Sequence, residues 1–425
     1  MKRYIKLLVV LGIILVGSFS FYLFKGYKRD ALVYENNKIK PSSSGIAMML
    51  ETSAGSGNYE MTTRSEWPTE GYVFNANLSK CENGSELSWD NENKKVLMSG
   101  NKSDKCYVYF DVIQVLLADY VKSLYTGTQG ENGIYYHDAS LTDGAGDNSY
   151  RFAGASDAVN NYVCFGSAQS PCPTDNLYRI IGVFGDKVKL IKSDYATSTL
   201  LGTDGDYKQA YTATWYSSSS YKGNNLANVA AYTWNYKNNT TINSGYGSNT
   251  WSTSLLNKTN LNKNFITNIG ADWAAKIDTT TWKVGGNTWA NIGTQPAKTA
   301  YQNEIVSPVT TNTTDNATTY SAKIGLMYAS DYGFAAAPSA WTANLNTYNG
   351  EAIKNVNWMY MGLYEWAISR NADNAYNVFS VRDTGHVSNE NDANSEFGVR
   401  PVFNLTSSVN YASGSGSATD PISIN

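Results

Sequence analysis

The sequence predicts an α+β protein with long irregular loops, preceded by a transmembrane helix and a small disulfide-closed β-module. Three observations carry that expectation. The longest apolar run stands at the start, short β-prone pieces separated by Asn, Gly and Ser turns follow it, and segments with helical apolar spacing lie among them. A chain of 425 residues has room for two or three domains and can bury a proper core, so no cofactor is needed to hold it together. Only 16% of residues are charged and the formal net charge is −3, which excludes a nucleic-acid binder that depends on a basic face.

Residues 1–28 are the expected membrane anchor. Leu7 to Phe24 carries no charge and is flanked by Lys2, Arg3 and Lys6 on one side and Lys25, Lys28 and Arg29 on the other. As a helix it would reach about 27 Å, close to a bilayer core of about 30 Å. Val16-Gly17-Ser18 and Ser18-Phe19-Ser20 offer signal-peptidase spacings as the alternative, but the apolar run continues past both to a basic cluster. Charge is balanced across the span, so orientation is read from the cysteines. Cys81 with Cys106 and Cys164 with Cys172 form two local couples, and short loops close at lower entropic cost. Two disulfides imply an oxidising location, hence a single-pass cell-membrane protein with its C-terminal domain extracellular. With only His137 and His386, and no metal-ligand spacing of cysteines, a Cys/His zinc site is excluded.

Residues 29–65, with "PSSSG" and "SAGSGN", show no sustained period and read as a stalk. Residues 66–110 read as the small β-module, built from "GYVF", "LSWD", "KVLM" and "CYVYF". Residues 111–127 read as a connecting helix, with Val112, Val115, Leu116, Tyr120, Val121 and Leu124 near helical spacing and Gly127 as the stop. From 128 to 425 one long domain is expected. It holds a hairpin at "NLYRIIGVFGDKVKLIKSD" turning at Gly185-Asp186, helical patches at Trp251 to Leu256 and Leu261 to Ile269, and a terminal edge strand with Ile422 and Ile424.

The later motifs "EWAIS", "VFSVRDTGHV" and "GVRP" resemble the end of the C-type-lectin-like domains of the formylglycine-generating-enzyme (sulfatase-modifying-factor) type, over Trp358 to Leu405. "LYRIIGVF", "IGLMYASDYG", "EW" and "GVRP" also resemble a group of uncharacterised membrane-anchored Gram-positive surface proteins, over most of residues 110–425. The resemblance implies a C-type-lectin-like domain at 128–425, with Arg400, Glu365, Asp383 and Trp366 as structural residues. The enzyme of that fold uses cysteines late in the domain to hold copper. This chain has none after Cys172, which implies that it lacks that activity.

Asp138, Asp143 and Asp147 are spaced as a weak calcium loop would be, against the alternative of a solvated turn. His137 has no nucleophile beside it. Glu365 and Asp383 are the best carboxylate pair for glycoside hydrolysis, against the reading as structural ion partners. The loop aromatics Trp234, Tyr236, Tyr246, Trp251, Trp282 and Trp289 suit stacking on sugar rings or a protein surface, and equally suit packing of the loops themselves. Arg400, between Gly398 and Pro401, is expected to point inward and pair bidentately with Glu365 or Asp383. The expected function is a membrane-anchored extracytoplasmic binding or adhesion protein for a glycan or protein ligand, without cofactor. An extracytoplasmic enzyme acting on glycans and a structural envelope protein stay open as alternatives.

Overall fold

Cys106–Val112 alternates buried Cys106, Val108 and Phe110 with more exposed neighbours, the period-2 signature of a strand with one face on a core. The computed structural model describes residue 40 and residues 45–101, 103–211, 220–236, 245–308 and 317–425. It divides into two compact units, Met1–Gln114 and Val115–Asn425.

In the smaller unit Cys106–Val112 is the hub of a five-stranded sheet. Ile46–Glu51 runs parallel to it, from Ile46 opposite Cys106 to Leu50 opposite Phe110, and Tyr59–Thr62 pairs antiparallel on the outer side of Ile46–Glu51. Tyr72–Phe74 and Lys80–Cys81 pair antiparallel with the hub strand from its other side. The span 29–65, expected as a stalk, thus supplies two strands. The separate hairpin Glu86–Asp90/Lys95–Ser99 lays Trp89 against Phe110, ring centroids 5.5 Å apart, over Met48, Leu50, Trp67 and Val96. The expected disulfides Cys81–Cys106 and Cys164–Cys172 are both formed.

In the larger unit the hairpin Leu177–Phe184/Lys187–Lys192 turns through Gly185, whose φ of 67° suits glycine. It is the centre of a seven-stranded antiparallel sheet in the order Ile324–Gly325, Val402–Asn404, Lys187–Lys192, Leu177–Phe184, Ser149–Phe152, Ile134–His137, with Tyr162–Cys164 also pairing on Leu177–Phe184. Beside it stand a three-stranded sheet, Glu365–Arg370, Asn377–Val381 and Val387–Asp392, and smaller ribbons. Ser423–Ile424 closes one of these as an edge strand on Asn410–Ser413. The longest helical stretch, Leu256–Phe265 continuing to Asn268, buries Leu256, Leu261 and Phe265.

Three expectations are corrected here. The α+β, C-type-lectin-like fold class gives way to a mostly β chain in several small sheets, whose described helical segments are short apart from Leu256–Phe265 with Ile266–Asn268 and Ala297–Tyr301 with Gln302–Val306. The connecting helix at 111–127 shrinks to Leu117–Ser123, since Asp111 and Val112 complete the strand before it. No described helix is long and apolar enough to cross a membrane, and Leu7–Phe24 lies outside the described residues, so the transmembrane helix and the single-pass localisation are not carried forward.

Candidate functional site

Arg400 enters the core just before the strand Val402–Asn404, where Gly398 lies so close to Tyr195 that an added Cβ would come within 2.7 Å of its ring. The guanidinium is 1% exposed; Nε donates to Glu365 Oε1 at 2.8 Å and one terminal nitrogen donates to the Met359 carbonyl at 2.7 Å. The contact is a single charge-assisted bond plus a backbone acceptor, not the expected bidentate fork. Against the cost of burial, Glu365 pushes Arg400 above its usual range, while burial raises Glu365 against the pull of Arg400. Asp383 is not in it: it lies half-buried in the turn between two strands, where its backbone carbonyl accepts from the Tyr360 hydroxyl at 2.5 Å.

A second buried network gathers Lys189 of the hairpin and Arg151 of the neighbouring strand. Lys189 Nζ meets Asp331 at 2.5 Å, and Arg151 meets Asp147 at 2.6 Å and Asp331 at 3.7 Å. Glu304 accepts from the backbone N–H groups of Ala329 and Ser330. Every one of these carboxylates is committed to a cation or a backbone donor. Asp138 accepts from Ser140 and Leu141 and Asp147 serves Arg151, so the three aspartates considered for calcium do not converge. Among the described residues no cluster of three or more His, Cys, Asp or Glu is placed to hold a metal. Burial, with Arg151 nearby, lowers His137 to about 3, so it is neutral, and its Nδ1 accepts from the Ala145 N–H at 3.0 Å.

The loop aromatics divide by burial. Trp234, Trp251 and Trp282 are at most 2% exposed, and Trp234 and Trp282 donate their indole N–H to the carbonyls of Ala367 and Ala322. They pack the loops down, as Trp366 does through the Tyr232 carbonyl at 2.9 Å. Trp289 is half-buried and stacks on Phe379. Tyr236 and Tyr246 remain outside, 59% and 47% exposed. Lys208 Nζ lies 4.9 Å from the Tyr236 ring centroid, beside a cavity of ≈ 550 Å³ that Asp206 and Leu255 also line. Both oxygens of Asp206 accept backbone N–H groups, so it is not available to a ligand.

A different cavity, ≈ 370 Å³, opens where Lys187–Lys192 ends. Thr197 caps the short turn Ser198–Leu201 by accepting the Leu200 N–H, and Asn268 ties that turn down through the Thr199 and Leu200 carbonyls. Asn228 stands on the facing turn Leu226–Asn228. The Cys164–Cys172 loop leads into Thr174–Asn176, which sets exposed Asp175 at the rim. Lys192 also lines this cavity and is 2% exposed. Asp194, its sequence neighbour, is occupied by the Tyr221 hydroxyl and the Asn224 N–H at 2.8 Å. Among the described residues Lys192 Nζ has no hydrogen-bond acceptor and no ion-pair partner; it lies over the Tyr178 ring, 5.9 Å from the centroid. Burial, partly offset by Asp194 and Asp175, holds its pKa below the usual lysine range.

Sequence reasoning missed Lys192. The signal was strand parity: in "KVKLIK" it falls on the side of Val188 and Leu190, opposite Lys187 and Lys189, and so points where apolar residues point.

Residues 224–407 match the family model described as a domain of unknown function, DUF6273. That span contains Asn228, Asn268, Glu365, Asp383 and Arg400 and stops short of Lys192. No curated protein and no solved structure matches the chain.

Proposed function

We propose that the larger unit is a ligand-binding domain rather than a catalyst, working outside the reducing cytoplasm, and that a small polar ligand occupies the Lys192 cavity. The observation that carries this reading is a buried lysine without an acceptor on the wall of a cavity. An ammonium held on a cavity wall without a protein acceptor is open to a charge-assisted hydrogen bond from an anion that enters. The two disulfides support an oxidising compartment. Against the alternative of a glycan-active enzyme, Glu365 is closed off against Arg400 and lines none of the described cavities.

A second reading, a glycan or protein contact surface around Tyr236 and Tyr246, is favoured by their exposure and by Lys208 beside Tyr236.

The test plugs the cavity. Ala227 is exposed and lines it, so Ala227→Trp fills the mouth without disturbing the core. A thermal-shift screen of small sugars, amino acids and organic acids on the full chain is expected to give hits that Ala227→Trp abolishes at unchanged melting temperature. Hits unaffected by Ala227→Trp but lost in Tyr236→Ala would move the function to the second surface.

A further inference from the structure

Resting on the cavity reading above, we infer that the ligand is a polyhydroxylated monocarboxylate, an acidic sugar, whose carboxylate pairs with Lys192. The reasoning starts from the cation. Lys192 is the basic residue lining this cavity, and no protein acceptor among the described residues satisfies it. A carboxylate oxygen supplies the charge-assisted hydrogen bond that the fold leaves open.

The rest of the wall is neutral and polar. Among the described residues, Ser198, Thr199 and Asn228 make no intramolecular hydrogen bond through their side chains. Hydroxyl and amide groups both donate and accept, as sugar hydroxyls do, so these three side chains match a polyol better than they match an apolar acid or a bare inorganic anion. Leu200, Ala227 and Val229 supply apolar surface for the C–H side of a ring.

Size and charge narrow the class. At ≈ 370 Å³ the cavity lies at the lower end of small-molecule sites, with room for one sugar ring rather than a chain. Asp175 stands at the rim, so one carboxylate opposes one ammonium. A second negative charge on the ligand would meet Asp175, which favours a monoanionic carboxylate over a dianionic phosphate monoester. A free sugar acid and the acidic end of a glycan present the same chemistry to the cavity. Burial holds Lys192 below the usual lysine range, and an anion bound beside it would raise it.

Isothermal titration calorimetry of the full chain tests this, with sodium glucuronate and galacturonate, the matching neutral hexoses, glucose 6-phosphate, and a trisaccharide ending in glucuronate. At least one uronate is expected to bind tenfold or more tighter than its neutral hexose and than the phosphate. Lys192→Met removes a buried charge while keeping the stem, and is expected to erase the advantage over the neutral sugar. Asp175→Asn is expected to narrow the gap to the phosphate. A trisaccharide that binds tighter than the monosaccharide identifies a glycan end, and one that binds more weakly identifies a free sugar acid; either supports the class. Neutral hexose and uronate binding alike, with both lost in Ala227→Trp, overturns the acidic-sugar inference and leaves the cavity reading intact. Uronate binding that survives both Lys192→Met and Ala227→Trp overturns the cavity reading itself, and failure of every sugar to bind overturns the inference.

Discussion

Replacing Arg400 by alanine strips a buried carboxylate of its cation. Arg400 and Glu365 are 1% and 2% exposed, and the side chain also holds the Met359 carbonyl. At an effective dielectric of about 20, unit charges about 4 Å apart attract by about 4 kcal/mol, and the 2.8 Å contact adds a charge-assisted hydrogen bond. Desolvation consumed part of that gain on folding, but in the variant it is left uncompensated at Glu365. The expected loss is therefore about 3–5 kcal/mol. Urea unfolding followed by near-ultraviolet circular dichroism of the buried tryptophans measures it. Glu365→Gln keeps an acceptor and removes the charge, so its loss should be smaller. The double change Arg400→Met with Glu365→Leu should recover most of the stability, because an apolar pair of similar volume needs no partner. An Arg400→Ala protein with an unchanged urea midpoint would refute the reasoning.

Four further outcomes follow from the same contacts. Lys192, depressed in the folded state by burial and by Arg400 against the pull of Asp194 and Asp175, binds fewer protons folded than unfolded between its lowered pKa and about 10.4; its cost is thus full below that lowered pKa and relieved as pH rises through the window. Lys192→Met should accordingly be more stable than the natural chain at pH 7, with an advantage that shrinks toward pH 10 in urea titrations. Trp366→Ala should cost about 3–5 kcal/mol, whereas exposed Tyr236→Ala should stay within about 0.5 kcal/mol by the same assay. Peptide mapping without reductant should recover Cys81 linked to Cys106 and Cys164 linked to Cys172, and a Cys106 to Cys164 product would contradict the pairing. Opening the Cys164–Cys172 loop, which spans a sequence separation of 8, should cost about 2–3 kcal/mol by chain entropy and weaken cavity ligands by loosening the rim at Asp175.

Local features were legible in the residues themselves. Gly185-Asp186 between two alternating runs specifies its hairpin without help from the rest of the chain, and the two cysteine couples lie close enough in sequence to select each other. The inward course of Arg400 followed from Gly398 and Pro401, which need only the residues beside them. The expected bidentate pairing was not met, because one terminal nitrogen goes instead to the Met359 carbonyl, presented from another segment. The strand Ile46–Glu51 was hidden for a similar reason: besides its local partner Tyr59–Thr62 it is held in the sheet by the parallel strand Cys106–Val112, about sixty residues away, to which no turn signal connects it. Trp234, Trp251 and Trp282 looked like surface aromatics because their neighbours are Asn, Thr and Ser, yet those polar neighbours face other loops and the indoles turn inward. The site was the least legible part. Lys192 is marked only by strand parity, and Asp175, Ser198 and Asn228 meet around it through three separate turns.

The most direct measurement of the central claim is the titration of Lys192 itself. In the full chain carrying ¹³C-labelled lysine side chains, the Lys192 Cε resonance is identified by its absence in Lys192→Met. Without ligand it should titrate below the usual lysine range, as burial dictates. On adding a uronate it should shift and titrate higher, while Lys208 and the surface lysines stay in place. A Lys192 resonance that titrates with the bulk lysines and does not move with any cavity ligand would contradict the account.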